Sequence, residues 1–269
     1  MHYMGITAES QIVLDEDVLS ETHAPSFKKE REQHLAELQK CVSPALRGQK
    51  PFTSWLHGAP GTGKTTVACH VLVQLCRQTN ISGIYVNCWK HNSFYSVIEH
   101  ILSEMWKGFG DARDKSVKLA QFERLVKDKP FLIVLDEVDL MPSRERNTMI
   151  YNLYSIGKVG LICISESRYP ILSLESRIRS RLSPRTIAFE PYSTKEMKVI
   201  LSDRAVRALH PESWSSRALE LIAKKAQAMP GQPFRPSGML PRMPTPRGPG
   251  RSLPPIYKRA FSLTSIAVL

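Results

Sequence analysis

One octapeptide constrains this chain more than any other stretch: Gly58-Ala59-Pro60-Gly61-Thr62-Gly63-Lys64-Thr65. It fits the spacing G-x-x-x-x-G-K-[ST], and its flanks give that spacing physical meaning. A short strand-like run, Thr53 to His57, precedes it, and an apolar periodicity (Val67, Val71, Leu72, Leu75) follows at helical spacing. Glycines let backbone N–H groups converge on phosphate oxygens, and the helix N-terminus adds a partial positive charge. In such a loop Lys64 reaches the β and γ phosphates and the Thr65 hydroxyl ligates Mg²⁺. Thr66 is counted with the loop as nucleotide-binding. The expected ligands are therefore ATP or ADP with Mg²⁺.

A second stretch gives the loop a partner. Phe131-Leu132-Ile133-Val134-Leu135 is a continuous apolar run that ends in Asp136, Glu137 and, after Val138, Asp139. Such a run reads as a strand buried on both faces, with acids at its carboxyl end, where α/β sheets bind ligands. Asp136 lies 72 residues after Lys64, room for two intervening α/β units. Asp136 is expected to hold Mg²⁺ directly or through water, and Glu137 to orient and polarise the attacking water. Phosphoryl transfer needs little beyond positioning and neutralisation of developing charge.

The remaining elements follow from periodicity. Residues 1–25 are poorly periodic and read as an N-terminal extension ending at Pro25, while 26–192 read as the ATPase core. Within the core, helices are expected over Ser26 to Leu46, Ser93 to Trp106, Lys115 to Lys127 and Asn147 to Ile156. Strands are expected over Gly83 to Cys88, Val159 to Ser165 and Thr186 to Phe189. Helices from Thr194 towards Leu209 and from Trp214 to Ala226 make 193–227 the beginning of a small helical lid. Between the last strands, Arg177, Arg179 and Arg181 fall at alternate positions. On a helix Arg177 and Arg181 share a face. The spacing leaves open whether that face is merely solvated or supplies an arginine finger.

Composition narrows the class without deciding it. A chain of 269 residues that is 42% hydrophobic suits one large or two small folded domains. No apolar run approaches the ~18 residues of a membrane helix, so no membrane partner is expected. The N-terminus soon turns acidic (Asp15, Glu16, Asp17), unlike a signal peptide, which points to a cytoplasmic, nucleoid-associated protein. The five cysteines form no C-x-x-C pair and read as small apolar residues in a reducing compartment, with no metal or disulfide. The net charge of +12 suggests an anionic partner such as nucleic acid. Residues 228–269 supply half of that excess, with six Lys/Arg and no Asp/Glu.

From about Arg31-Glu32 to Ala226 the chain resembles a known family: AAA+ ATPases of the archaeal and eukaryotic replication-initiator group, the origin-recognition and cell-division-cycle initiators. The resemblance rests on the Gly58 to Thr65 loop, the Leu135-Asp136-Glu137-Val138-Asp139 box, Ser180-Arg181-Leu182, and Phe189-Glu190-Pro191-Tyr192 before a lid helix ending in Asp203-Arg204. It implies a P-loop three-layer α/β sandwich with a five-stranded parallel sheet, an α-helical lid and a DNA-binding winged helix after it. It also implies that Arg181 acts in trans on a neighbouring subunit's ATP and that Tyr192 lies at the nucleotide. The implied partners are origin-type duplex DNA and other initiator subunits or a replicative helicase. A clamp-loader-like or transposition-helper ATPase is the alternative, and a nucleotide-binding module with little turnover is a third.

The chain departs from the family pattern in two places. At the end of the fourth strand, where the family shows Ile-Ser-Asn, this chain reads Ile164-Ser165-Glu166. A carboxylate there repels phosphate, so either hydrolysis is weak or Ser165 substitutes as the polar sensor. After Ala226 the family's Gly-Asp-Ala-Arg lid helix is missing, and 228–269 hold nine prolines and no acids. That composition reads as a disordered basic segment. Degenerate codons from Gln227 onward also permit a Gly/Ser-Asn/Asp-Ala-Arg helix in another frame, which would make the segment a frameshifted translation.

Overall fold

The computed structural model describes residues 29–105 and 114–228. The expectations for the N-terminal extension, Trp106 and the basic segment after Ala228 lie outside the described residues.

A 3-10 turn at Lys29–Arg31 opens into helix α1, Glu32–Val42. The expected longer helix stops there because Pro44 offers no N–H to continue the ladder. The chain then tightens into a 3-10 turn, Ser43–Arg47, closed by Gly48 in the left-handed region. Strand β1 is Ser54–His57 and helix α2 is Lys64–Gln78, with the glycine loop between them. Strand β2, Ser82–Asn87, is followed by α3, Phe94–Met105, and α4, Lys115–Val126. Strand β3, Phe131–Asp136, leads to α5, Ser143–Ser155, and β4, Val159–Ser165. Helix α5 begins a turn earlier than its apolar periodicity suggests, directly after Pro142. A single helical turn at Tyr169–Leu172 precedes α6, Ser176–Leu182, and β5, Arg185–Ala188.

The five strands form one parallel sheet in the order β2-β3-β4-β1-β5. Every residue of β3 and β4 is buried, as expected of central strands covered on both faces. Side-chain alternation sorts β3 between two cores. Phe131, Ile133 and Leu135 pack with α3, α4, α5 and α6, while Leu132 and Val134 pack with α1 and α2. Each fully buried Leu or Ile contributes about 1.5–3 kcal/mol by leaving water. The register aligns the carboxyl ends of the strands: His57 pairs with Ser165, and Asn87 with Asp136. The segments after β1, β3 and β4 therefore leave the sheet along the same edge.

Beyond the sheet, α7 (Thr194–Ala208) and α8 (Ser216–Ala228) pair as the helical lid around Leu201, Ala205, Leu219 and Ala223. A capping box starts α7: Glu196 N–H donates to Ser193 Oγ at 3.2 Å, and Ser193 N–H donates to Glu196 Oε2 at 2.7 Å. No helix among the described residues is long and apolar enough to cross a membrane.

Candidate nucleotide site

The glycine loop is shaped by close approach. A Cβ at Gly58, where φ is +153°, would overlap the Phe189 carbonyl oxygen, and one at Gly63 would lie 2.6 Å from the Tyr192 hydroxyl. Gly61 and Gly63 both take left-handed φ, +74° and +88°, which glycine alone adopts without strain. The Thr62 hydroxyl closes the loop by donating to the Ala59 carbonyl at 2.8 Å. The Lys64 ammonium donates to the carbonyls of Gly58 (2.6 Å) and Ala59 (2.8 Å), which holds it at the loop. Burial pulls the Lys64 pKa down, while Asp136, Glu166 and Asp139 oppose that shift. This is a cradle with no side chain in its floor and one ammonium at its rim, and it fits a polyphosphate.

Of the acids, Asp136 meets the end of the loop directly. Asp136 is buried, and its Oδ2 accepts from the Thr65 hydroxyl at 2.8 Å and the Tyr85 hydroxyl at 2.9 Å. Burial raises the Asp136 pKa against the pull of those hydrogen bonds, the Glu137 N–H and Lys64. Thr65 and Asp136 are thus oxygen ligands in contact, a donor set that suits a hard divalent cation. Glu137 sits in the left-handed region (φ 56°), an unfavourable place for a side-chain-bearing residue, costing about 1–2 kcal/mol. Besides the Leu140 N–H, which donates to its carbonyl at 3.1 Å, two hydrogen bonds hold it there. Its N–H donates to Asp136 Oδ1 at 2.9 Å, and its Oε2 accepts from Asn87 Nδ2 at 2.9 Å. Its pKa is raised by burial first, then by Asp136, Asp139 and Glu166.

Asn87, Tyr85 and Arg31 belong to the site, and sequence reasoning passed over them. Asn87 Oδ1 also accepts from the N–H groups of Trp89 (2.9 Å) and Lys90 (3.3 Å), so its amide is oriented before it meets Glu137. Its sequence signal was partial: a polar residue at the carboxyl end of a strand, with nothing to say that β3 lies beside it. Arg31 donates from Nε to the Thr62 carbonyl (3.0 Å) and from Nη2 to the Glu190 carbonyl (2.5 Å). Its guanidinium carbon lies 4.1 Å from the centroid of the Tyr192 ring. Arg31 therefore joins the loop, the lead-in to α1 and the start of the lid. No local sequence signal marks a contact across such a separation.

At the sensor position the geometry disfavours Ser165 as the polar sensor and leaves the Glu166 carboxylate near the loop. Ser165 is buried and committed: its hydroxyl accepts from Trp55 Nε1 at 2.9 Å and donates to the Ser167 carbonyl at 2.6 Å. Glu166 offers its N–H to Asp139 Oδ2 at 2.9 Å, and its exposed carboxylate acts electrostatically on Lys64 and Glu137. Arg181 is not brought to the loop. It donates to the Tyr151 hydroxyl on α5 at 3.0 Å, and Arg177 faces the same ring, as their shared helical face requires. Arg179 turns elsewhere, to the Leu172 carbonyl. Arg181 also lies near Lys50, before the amino end of β1, where burial and that arginine lower the Lys50 pKa to about 8.

Comparison with known proteins agrees with this geometry. Residues 53–171 match the model of the AAA domain family, a nucleotide-binding family. The ORC1-type DNA replication protein 3 of Haloarcula marismortui is 27% identical over 244 residues, covering 83% of this chain and 63% of the relative. The ORC1-type DNA replication protein 1 of Aeropyrum pernix is 31% identical over 223 residues, covering 76% of this chain and 55% of the relative. Among solved structures, the Aeropyrum pernix ORC1 protein in complex with DNA superposes with a TM-score of 0.73 at 30% identity, over 84% of this chain and 62% of that one. The chain spans about three-fifths of the length of the curated relatives it matches. A phosphate loop braced on a buried Asp136, in a sheet that overlays an archaeal initiator along most of this chain, marks residues 53–171 as an AAA domain similar to that of the ORC1-type DNA replication proteins.

Proposed function

We propose that this chain binds ATP and ADP with Mg²⁺, hydrolyses ATP slowly, and uses the bound nucleotide as a switch in a replication-initiation assembly on duplex DNA. The observation that carries this is the Thr65–Asp136–Glu137–Asn87 chain of hydrogen bonds directly beneath the glycine loop. Gly58 to Thr66 would cradle the phosphates, Lys64 would neutralise the β and γ oxygens, and Thr65 with Asp136 would hold Mg²⁺, which supplies Lewis-acid neutralisation of the transferring phosphoryl group. Glu137 would accept the proton of the attacking water, with Asn87 orienting its carboxylate. Tyr192, packed on Gly63, would report occupancy of the loop to the lid.

The division into a core over 26–192 and a lid beginning at 193 suits this role. Arg181, facing away from its own loop, would reach the ATP of a neighbouring initiator subunit. The DNA-bound Aeropyrum pernix ORC1 protein and the net charge of +12 support a DNA partner, with nucleoid association following from it. A reading as a nucleotide holder with little turnover is favoured by one observation, the Glu166 carboxylate acting on Lys64.

The test is paired. Titration with a fluorescent ATP analogue in Mg²⁺ buffer should show saturable binding, and phosphate release under the same conditions should be slow but above background. Duplex DNA mobility shifts with ATP and with ADP should differ. Absence of nucleotide binding ends the whole proposal, whereas binding without phosphate release selects the holder.

A further inference from the structure

Arg146 is among the largest fully enclosed side chains of the described residues, yet it touches neither the loop nor the acids. It projects from the first turn of α5 into a place where three segments meet. Nη1 donates to the Met141 carbonyl at 3.4 Å, in the segment that follows Asp136, Glu137 and Asp139. Nη2 donates to the Ser143 hydroxyl at 3.2 Å and to the Ser173 hydroxyl at 2.6 Å. Ser173 closes the helical turn that follows Glu166, and its own hydroxyl donates to the Pro170 carbonyl at 3.1 Å. Nε is buried without a partner.

The charge is also unusual. No carboxylate lies within ion-pair distance of Arg146 among the described residues; Asp139, Tyr169 and Cys163 act on it at longer range. A buried guanidinium without a close counter-ion is an expensive way to fill space, since an apolar side chain of similar length avoids the desolvation penalty. Its planar fork, however, reaches several acceptors at once, which neither an apolar chain nor a point-charge ammonium can do. The two segments it ties carry the site's opposed groups: Glu137 and Asp139 on one, Glu166 on the other. Asp139 joins the same pair of segments nearer the surface through the Glu166 N–H.

We infer that Arg146 is a positioning residue: it braces the segment after β4 against the segment after β3, fixes Glu166 relative to Glu137 and Asp139, and so sets the rate of hydrolysis without contacting nucleotide. This rests on the ATPase reading above, and it adds a site that neither the loop nor the acidic box discloses.

The experiment uses the full chain and three variants, Arg146→Met, Arg146→Lys and Ser173→Ala. Arg146→Met should lower kcat for ATP about tenfold or more, the scale of a small misplacement of reacting groups, with KM within about twofold. Arg146→Lys should recover part of the loss. Ser173→Ala, which removes one tether and no charge, should lower kcat about twofold to threefold and be non-additive with Arg146→Lys. Amide exchange over 164–174 should quicken in Ser173→Ala while 58–66 stays unchanged. If Arg146→Met lacks a cooperative thermal transition, the lysine and Ser173 variants decide. Unchanged kcat and exchange in those two overturn the inference, as does a kcat loss that only tracks the folded fraction, or strict additivity. A wild-type chain that releases no phosphate sinks the ATPase reading alone; the exchange pattern then decides whether the brace exists.

Discussion

The glycine loop and the end of β4 leave the sheet side by side, from the paired residues His57 and Ser165, and they are built in opposite ways. The loop is defined by what is missing. Gly58 and Gly63 have no Cβ because Phe189 and Tyr192 occupy that space, and the backbone closes on itself. The end of β4 is defined by side chains: Trp55 holds Ser165, Asp139 holds the Glu166 N–H, and Arg146 holds Ser173. Steric definition fixes the backbone shape of the loop whatever the neighbouring charge, and only Lys64 at its rim feels the nearby carboxylates. Hydrogen-bonded and electrostatic definition makes the sensor segment tunable. Nucleotide capture and nucleotide turnover are thus set by adjacent but physically separate devices.

That separation can be attacked from either side. The largest effect should come from Glu137→Gln, which removes the proposed general base and should cut phosphate release by about 10²–10⁴-fold while ATP affinity stays within a few-fold. A matching loss of affinity would merge the two devices. Lys64→Ala should cost about 10²–10³-fold in turnover and, unlike Glu137→Gln, should also abolish tight nucleotide binding in a fluorescence titration. Gly58→Ala tests the steric half alone. Its Cβ meets backbone, which cannot swing aside, so the protein should lose about 1–3 kcal/mol by thermal or denaturant unfolding even without nucleotide.

Glu166→Asn, which removes a carboxylate beside Lys64, should tighten ATP binding and raise phosphate release by about threefold to tenfold, the scale of one partly exposed charge. No change would mean that the carboxylate is screened and that the end of β4 matters only through its backbone. The smallest effect is in pH. Burial and the neighbouring acids hold the Glu137 pKa above the ordinary carboxylate range, and its ionised form is the active one. Turnover should therefore fall as pH drops through that raised value. Glu166→Gln removes one of the groups that raise it, so the acidic limb of the pH–rate profile should move to lower pH.

Much of this could be read from the chain alone. A Gly-rich loop between a strand and a helix, and an apolar run ending in acids, are local patterns whose chemistry is carried by residue type and spacing. Those patterns nominate Lys64, Thr65, Asp136 and Glu137 as one site from residue type and spacing alone. The individual strands followed from period and length, because a strand buried on both faces, such as β3, has a distinctive apolar composition, while their joining into one parallel sheet was what the family resemblance implied.

What tertiary structure decided was partnership. Nothing around Asn87 says that it will face Glu137, since that depends on β2 pairing with β3 in a register that aligns Asn87 with Asp136. Nothing around Arg31 announces its place between Thr62, Glu190 and Tyr192, and nothing in α5 separates Arg146 from a solvated arginine. Ser165 looked free to act as a sensor until Trp55, 110 residues away, claimed its hydroxyl. Spacing fixes which residues of one element share a face. Only packing settles which polar group of another element meets them, and in a site made of neighbouring carboxylates those meetings set the charge and the geometry.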